Sequence, residues 1–371
     1  MSIKATEYFS DFVHNIGLSQ KSREALKKAH TDLRAKLEKD DDIKPILIST
    51  FIQGSYARST GIKPLSGENV DVDVIAVTNM NRDDYSPQAA FEFFYPFMKE
   101  NYGEVAPSTA EDAKVRQQNR SIGIKLANAD VDFVPTAAPS EALLNAMQSF
   151  SRFKDFSVEG LNESREDSEI FESAFAKDNT WKDEPLLIPD YDDNEWDKTH
   201  PLEQIRQTRE KNKRCNGYFL AVVKSIKWWK RVTLPDQKHP KSYPLERLVG
   251  ECCPDDIGSV AEGIVCTFEA IVLNYRVKPF LPDYGVPTHD VFGRLSVDDY
   301  NEFYKKAKEF SSLARKAYDA PDMKTAIKLW REFFSDSKEF PEYDGPDATA
   351  SAAGFTPRTD KTAAVPTARF G

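Results

Sequence analysis

Three aspartates have the residue type and spacing in this sequence that best suit chemistry. Asp71 and Asp73 alternate with valines in VDVDVIAVT, and Asp132 lies in a second aliphatic run, DVDFVPTA. Residues two apart on a strand point to the same face, so Asp71 and Asp73 project side by side and repel each other. Mg²⁺ prefers oxygen ligands and keeps substrate phosphates in its shell. With a third carboxylate, the pair predicts a site for two Mg²⁺ ions, with Mn²⁺ able to substitute, that transfers a phosphoryl-linked group.

Two residues compete for the place of the third carboxylate. Asp130 and Asp132 lie on the same face of one predicted strand. We favour Asp132 because Phe133 and Val134 follow it, and a charge in such apolar surroundings is costly. Asp130 stays the alternative.

A glycine and a serine precede the aspartates at a distance that suits phosphate binding. Gly54 lets the backbone approach a phosphate closely, and Ser55 adds a hydroxyl donor next to Gln53. Each element alone is common in surface turns and strands. The order of helix, strand, Gly-Ser loop, Asp-x-Asp strand and acidic strand matches the polymerase-β-like nucleotidyltransferases, which predicts an α+β core with a mixed β-sheet.

Periodicity predicts the elements that position these residues. A long amphipathic helix, with Ser19 or Ser22 as its N-cap, follows a short start and forms the spine of the core. Ser86 and Pro87 open an aromatic helix that Pro96 should kink or end. The predicted strands are ILISTFI, VDVDVIAVT, SIGIKLA and DVDFVPTA.

The length of 371 residues suits two domains. Periodicity fades over residues 155–197, which predicts a long acidic connection and places the first domain at residues 1–197. Helical patterns then dominate a second domain at residues 198–342. The remaining residues, 343–371, are small and polar, which predicts a disordered tail. The predicted helical segments are PLEQIRQTREKNK, FLAVVKSIKWWKRV, SVAEGIVCTFEAIVLNYR, NEFYKKAKEFSSLARKAY and TAIKLWREFF.

Composition excludes several classes of protein. The net charge of −10 argues against coating nucleic acid, although metal ions can neutralise nucleotide phosphates in a pocket. Neither an apolar run of roughly 18 residues nor a signal-like start is present, which predicts a cytoplasmic protein without a membrane segment. Four cysteines are too few for a disulfide framework and are expected to be reduced and mostly buried: Cys215, Cys252, Cys253 and Cys266.

Longer motifs carry a family resemblance. QGSYARSTGIKP followed by VDVDVIAV resembles the cGAS/DncV-like nucleotidyltransferases of bacterial anti-phage defence, and KSYPLERLVG is similar to the clade D enzymes. The resemblance implies a C-terminal all-α domain like that of oligoadenylate synthetase. It also implies an adenine-containing cyclic trinucleotide, made from ATP with GTP or another nucleoside triphosphate, that acts on a downstream effector.

The resemblance also implies roles for residues in the second half. Lys227 should reach the donor triphosphate. Lys224 and Arg231 lie at helical spacing from it and form one cationic stripe with it, which makes Lys224 a further candidate for nucleotide binding. A solvated face is the alternative for Lys224 and Arg231. Ser242 should contact a phosphate. Tyr243 should stack on a nucleobase, although a lone tyrosine is more often part of a core.

Two further features concern partners. The five histidines form no cluster with cysteines that could bind zinc, so activation by duplex DNA is not expected. The sequence ends in Arg369, Phe370 and Gly371, and the resemblance implies that an E1/E2-like accessory protein joins the carboxyl group of Gly371 to a target.

Two other functions remain open from the sequence. The same three aspartates could serve a linear nucleotidyltransferase that acts on an RNA, a protein or a small molecule. The fold could also bind nucleotides without catalysis, although three mutually repelling carboxylates then serve no purpose.

Overall fold

A six-stranded mixed sheet organises the first half of the chain. The computed structural model describes residues 5–65, 68–138 and 184–345. The strand order is β1-β2-β6-β5-β4-β3, with β2 parallel to β6 and β3 parallel to β4. The strands are β1 Leu47–Gln53, β2 Val70–Thr78, β3 Val105–Ala106, β4 Val115–Gln117, β5 Ile122–Lys125 and β6 Ala129–Pro135. The four predicted strands are confirmed; β3 and β4 are too short to show a period.

The predicted spine helix is confirmed as α2, Gln20–Leu37. Ser19 is its N-cap, because the Ser19 Oγ accepts a hydrogen bond of 3.1 Å from the backbone N–H of Ser22. Buried leucines of α2 join the core cluster of the sheet. The predicted break at Pro96 is confirmed as well, since α4 spans Pro87–Phe93 and α5 spans Tyr95–Asn101.

The predicted connection over residues 155–197 is wrong in its last part. Residues 186–199 form a hairpin of β7, Leu186–Asp190, and β8, Glu195–Thr199. The apolar run of β7 is buried at every residue, and the Trp196 Nε1 donates to the Tyr85 carbonyl at 3.1 Å. The predicted boundary at residue 197 therefore falls inside a strand. Residues 155–183 lie outside the described residues.

Six helices follow the hairpin in residues 200–345, the remainder of the last range that the structure describes. The five predicted helical segments are confirmed, and α8, which contains the SYPLER motif, is additional. The helices are α6 Pro201–Arg214, α7 Phe219–Thr233, α8 Ser242–Cys252, α9 Val260–Asn274, α10 Val297–Tyr318 and α11 Met323–Phe333.

The N-terminal helix α1, Thr6–Ile16, packs with these late helices and not with the sheet. The Phe9 ring lies 5.0 Å from that of Trp330 and 5.2 Å from that of Phe340. The described residues thus form two clusters of buried side chains, and α1 belongs to the second although it lies within the predicted first domain. We call the sheet with its helices the sheet half, and α1 with α7–α11 the helical half. The helix α6 buries Leu202 and Ile205 in the cluster of the sheet half.

Three other predictions concern the cysteines, a membrane segment and the C-terminal tail. All four cysteines are free thiols, and Cys266 is the one that is partly exposed. Among the described residues, no helix combines the length and the apolar character that crossing a bilayer requires. The predicted tail lies outside the described residues from position 346 onward, and Gly371 with it.

Candidate active site

The parallel pairing of β2 with β6 aligns the candidate aspartates. Asp71 is in register with Asp130, and Asp73 is in register with Asp132. In-register residues of neighbouring strands share a face of the sheet, so all four carboxylates lie on one face. On the opposite face, residues such as Val72 and Val131 are buried in the core and fix the strands.

Burial and mutual repulsion raise the pKa values of two of these carboxyl groups. Desolvation, with the charges of Asp132 and Asp71, raises the pKa of Asp73 to about 7. Desolvation and the charge of Asp71 raise the pKa of Asp132 to about 6, although the Gln118 Nε2 donates a hydrogen bond of 3.0 Å to Asp132 Oδ1. Asp130 instead accepts a hydrogen bond of 3.0 Å from Asn69 Nδ2. The face is therefore short of positive charge.

This donor set fits hard divalent cations that also bind substrate. The carboxylates offer oxygen ligands only, and a cation between them would relieve the repulsion. Within the described part of the chain, no three or more His, Cys, Asp or Glu side chains converge closely enough to hold an ion by themselves. Mg²⁺ usually takes one or two carboxylates and completes its shell with water and substrate phosphates. The arrangement matches that mode of binding.

Gly54 brings the phosphate-binding segment against Asp73. It begins the short helix α3, Gly54–Ala57, with a φ of +81°, a conformation that favours glycine. A Cβ at this position would lie 2.0 Å from Asp73 Oδ2. Gln53, at the end of β1, pairs in register with Asp73. The predicted residues Gln53, Gly54 and Ser55 therefore meet the aspartate face directly.

A cleft of about 1240 Å³ opens in front of Asp71 and Asp73 between the two halves of the molecule. Its volume exceeds that of a typical single-ligand pocket, so it has room for more than one nucleotide. Asp132 is not a wall residue, because β6 lies one strand further from β1 than β2 does. The predicted residues on the wall are Gln53, Gly54, Ser55, Asp71, Asp73, Lys227, Ser242 and Tyr243.

Lys227 reaches the cleft from the buried side of α7. Its Nζ donates hydrogen bonds of 2.9 Å to the Thr60 carbonyl and to Glu246 Oε1. Burial lowers the pKa of Lys227, and the Glu246 carboxylate opposes that shift. Lys227 thus lies on the wall of the cleft, with an anionic neighbour that the sequence did not reveal.

Lys224 lies elsewhere, which corrects its predicted place in the nucleotide site. It lines a separate cavity of about 440 Å³ together with Arg23 and Tyr56, on the side of α1. The helix α7 runs between the two cavities, so residues one turn apart face different ones. Arg231 lines the cleft with Lys227, and its guanidinium donates to the Lys63 carbonyl.

Tyr243 is held from two directions. Its hydroxyl donates to Asp283 Oδ2 at 2.7 Å, and the Arg58 guanidinium carbon lies 4.9 Å from the ring centroid. Arg58 also donates from Nε to Glu246 Oε2 at 2.9 Å. Sequence reasoning missed Arg58, Glu246 and Asp283. Arg58 and Glu246 lie inside the quoted motifs, but their separation of 188 positions in the sequence conceals the pair.

Comparison with known proteins agrees with this geometry. Residues 1–157 match the family described as the Second Messenger Oligonucleotide or Dinucleotide Synthetase domain. The chain is 37% identical to a probable cyclic AMP-AMP-GMP nucleotide synthase of Salmonella paratyphi B, over 98% of each chain. It is 34% identical to a cyclic AMP-AMP-GMP synthase of Enterobacter hormaechei subsp. hoffmannii (strain UCI 50), also over 98% of each.

A solved structure shows the same fold. CdnC of E. coli MS115-1, determined with ATP, superposes with a TM-score of 0.61 at 14% identity, covering 91% of this chain and 98% of that one. The register of the aspartates, the adjoining Gly-Ser segment and these similarities lead to one conclusion. The chain belongs to the cGAS/DncV-like nucleotidyltransferases, the enzymes that join nucleotides into cyclic oligonucleotide messengers.

Proposed function

We propose that this enzyme joins ATP and GTP into a cyclic trinucleotide with two adenines and one guanine. The observation that carries the proposal is the aspartate face formed by β2 and β6, which meets Gly54 and Ser55 at the wall of a cleft large enough for two nucleotides. Relatives that share a third of their residues with this chain over nearly its whole length are cyclic AMP-AMP-GMP synthases, which supports the choice of bases.

Asp71, Asp73 and Asp132 bind the catalytic metal ions in this proposal. Two Mg²⁺ ions, or Mn²⁺ in their place, supply activation of the attacking hydroxyl and stabilisation of the departing pyrophosphate. The chain supplies three carboxylates, and burial with mutual repulsion raises the pKa values of Asp73 and Asp132. Asp132 lies on the side of the face that suits the acceptor nucleotide, because Asp73 separates it from the Gly54 segment.

Residues from both halves of the molecule bind the donor nucleotide. Ser55 and Ser242 offer hydroxyl groups and Lys227 an ammonium group to the triphosphate. Arg58 covers one surface of the ring of Tyr243, and Tyr243 lines the cleft, where its ring is the proposed platform for a base. In this proposal, the helical half serves as the oligoadenylate-synthetase-like domain that the family resemblance implies.

The reaction forms one phosphodiester bond for each pyrophosphate released. A ribose hydroxyl of the acceptor attacks the α-phosphate of the donor, loses its proton, and displaces pyrophosphate. Repetition extends the linear intermediate, and an intramolecular attack closes the ring. Positioning and charge neutralisation supply most of the rate enhancement, so the protein forms no covalent intermediate.

The wider role follows from the family. A cyclic trinucleotide serves as a second messenger that activates a downstream effector in anti-phage defence. Attachment of Gly371 to a target by an E1/E2-like accessory protein stays a prediction, as does a cytoplasmic location.

Product analysis tests this proposal. Purified protein is incubated with ATP and GTP in the presence of Mg²⁺ or Mn²⁺. In one reaction the ATP is labelled at its α-phosphate, and in a parallel reaction the GTP is labelled there; the products are then treated with phosphatase and analysed by mass spectrometry. We expect a phosphatase-resistant cyclic trimer that is labelled in both reactions and is absent with the Asp71→Asn, Asp73→Asn double variant. A phosphatase-sensitive linear oligomer would support the linear transferase. ATP binding without pyrophosphate release would support a non-catalytic protein.

A further inference from the structure

Glu246 is a buried carboxylate just behind the wall of the cleft. It lies on α8, its side chain is 6% exposed, and it is not itself a wall residue. Its two oxygens accept hydrogen bonds of 2.9 Å from Arg58 Nε and from Lys227 Nζ, both of which are wall residues. One carboxylate thus joins a residue that follows α3 in the sheet half to a residue of α7 in the helical half.

The bonds of Lys227 fix the direction of its ammonium group. An ammonium carries three donors, and Glu246 and the Thr60 carbonyl take two of them. Because Lys227 lines the cleft, the remaining donor is the one that a triphosphate can use. Glu246 therefore determines both where this ammonium lies and which way it points.

The bond to Arg58 extends the influence of Glu246 to the nucleobase side. The guanidinium of Arg58 lies over the ring of Tyr243, and Asp283 accepts the hydrogen bond of the Tyr243 hydroxyl. Gln204 Nε2 donates to the same Asp283 oxygen at 3.0 Å. The ring is therefore fixed at its edge by Asp283 and on one surface by an arginine that Glu246 holds.

Charge explains why a carboxylate stands at this position. Lys227 is buried, and the neighbouring cations Arg58 and Arg231 add to the desolvation that lowers its pKa. The charge of Glu246 and its hydrogen bond raise the pKa of Lys227 against these effects. Arg58 and Lys227 together lower the pKa of Glu246 to about 2 against the effect of burial, so the carboxylate is ionised at neutral pH.

We propose that Glu246 is a positioning residue for the donor nucleotide, acting on the triphosphate through Lys227 and on the base through Arg58 and Tyr243. The inference rests on the proposed function, because it takes the cleft as the site of a nucleoside triphosphate. It adds a buried carboxylate without nucleotide contact as the group on which both wall contacts depend.

The test compares Glu246→Gln with Glu251→Gln in the full-length protein. Glu251 lies on the same helix and pairs with Arg247 at 2.6 Å, away from the cleft wall, so its variant is a matched control. With Glu246→Gln, we expect KM for ATP to rise by about tenfold while kcat changes less, the loss typical of a charge-assisted hydrogen bond. Glu251→Gln should leave KM for ATP within about twofold of the wild type, because the Glu251 side chain is 45% exposed and does not lie on the cleft wall.

The pH profile separates positioning from a merely structural role. Without the carboxylate, burial and the two arginines favour neutral Lys227. The kcat/KM of Glu246→Gln should therefore fall further below that of the wild type as pH rises from about 7 to about 9. A wild-type KM with a parallel pH profile, even with a lower Tm, would overturn the inference.

A second variant covers the case in which Glu246→Gln does not fold. Glu246→Asp keeps the charge on a shorter side chain, so we expect a KM for ATP raised by about threefold with a wild-type pH profile, since a smaller displacement weakens the bond without removing it. An unchanged KM would contradict the inference. Equilibrium binding of a non-hydrolysable ATP analogue gives the same comparison without turnover. Failure of the proposed function appears separately, as a wild-type protein that binds the analogue but releases no pyrophosphate.

Discussion

At the scale of single residues, Asp73 illustrates the conflict between binding metal and stabilising the fold. Its pKa is raised from 3.8 to about 7 by burial and by two neighbouring carboxylates. A raised pKa means that the folded state favours the protonated form. The metal-free protein should therefore lose stability as pH rises through the window from 3.8 to about 7.

Replacement of this carboxylate should stabilise the protein while abolishing its activity. We expect Asp73→Asn to raise the Tm of the metal-free protein at about pH 8 by about 2–4 °C and to flatten its pH dependence. Pyrophosphate release should be lost. Thermal unfolding of the metal-free variant at about pH 5 and about pH 8 measures these changes in Tm. Asp41→Asn is the control, because Asp41 is exposed. A lower Tm for Asp73→Asn at pH 8 would show that the repulsion is already relieved.

Gly54 offers a second prediction, in which strain and steric contact can be separated. Gly54 and Gly217 have nearly the same φ, +81° and +83°, but a Cβ at Gly217 meets nothing within 4 Å. Alanine at either position should cost about 1–2 kcal/mol of backbone strain. Only Gly54→Ala displaces Asp73, so we expect it to lose about 100-fold in kcat/KM, while Gly217→Ala keeps its activity. Equal losses in the two variants would contradict the role of the close approach.

The sequence predicts some site residues and conceals others. Asp71 and Asp73 stand out because a charge on an otherwise apolar strand repeats with the strand period. Glu246 and Arg58 carry no such signal, because ordinary charged residues become a buried pair only when segments 188 residues apart meet. Motif reasoning therefore identifies the candidate metal ligands and misses the groups that hold the surrounding side chains.

At the scale of elements, α1 shows the same limit. Phe9, Phe12 and Ile16 follow a helical spacing, but a helix of 11 residues is marginal alone and depends on its packing partners. Those partners, Trp330, Phe334 and Phe340, lie more than three hundred residues later. The aspartate strands could be predicted because their pattern is local.

Loss of the α1 contact should destabilise the helical half. Phe9→Ala removes a fully buried ring and should cost about 3–5 kcal/mol of the free energy of unfolding. Phe280→Ala removes a ring that is 60% exposed and should change it by about 0.5 kcal/mol. Chemical denaturation of both variants checks this. Similar values would mean that α1 is not part of that core.

At the scale of the whole molecule, the site exists because two separately packed halves meet. The Lys227 bond to Thr60, the Arg58 pair with Glu246, and the ion pair of 2.7 Å between Lys63 and Glu339 all link elements of the two halves. The division into a sheet part and a helical part could be predicted from periodicity. The boundary could not be predicted, because only tertiary contacts show that the β7–β8 hairpin packs with the sheet half and α1 with the helical half.

We propose that the face shared by β2 and β6 performs nucleotidyl transfer with Asp132 as its third carboxylate. The most direct test measures pyrophosphate release from ATP and GTP by Asp132→Asn and Asp130→Asn. The two residues lie on the same strand and the same face, so each variant controls for the other. We expect Asp132→Asn to lower the rate of pyrophosphate release by at least about 1000-fold, as loss of a metal ligand should. The rate for Asp130→Asn should stay within about tenfold of the wild-type rate. An active Asp132→Asn beside an inactive Asp130→Asn would contradict the account.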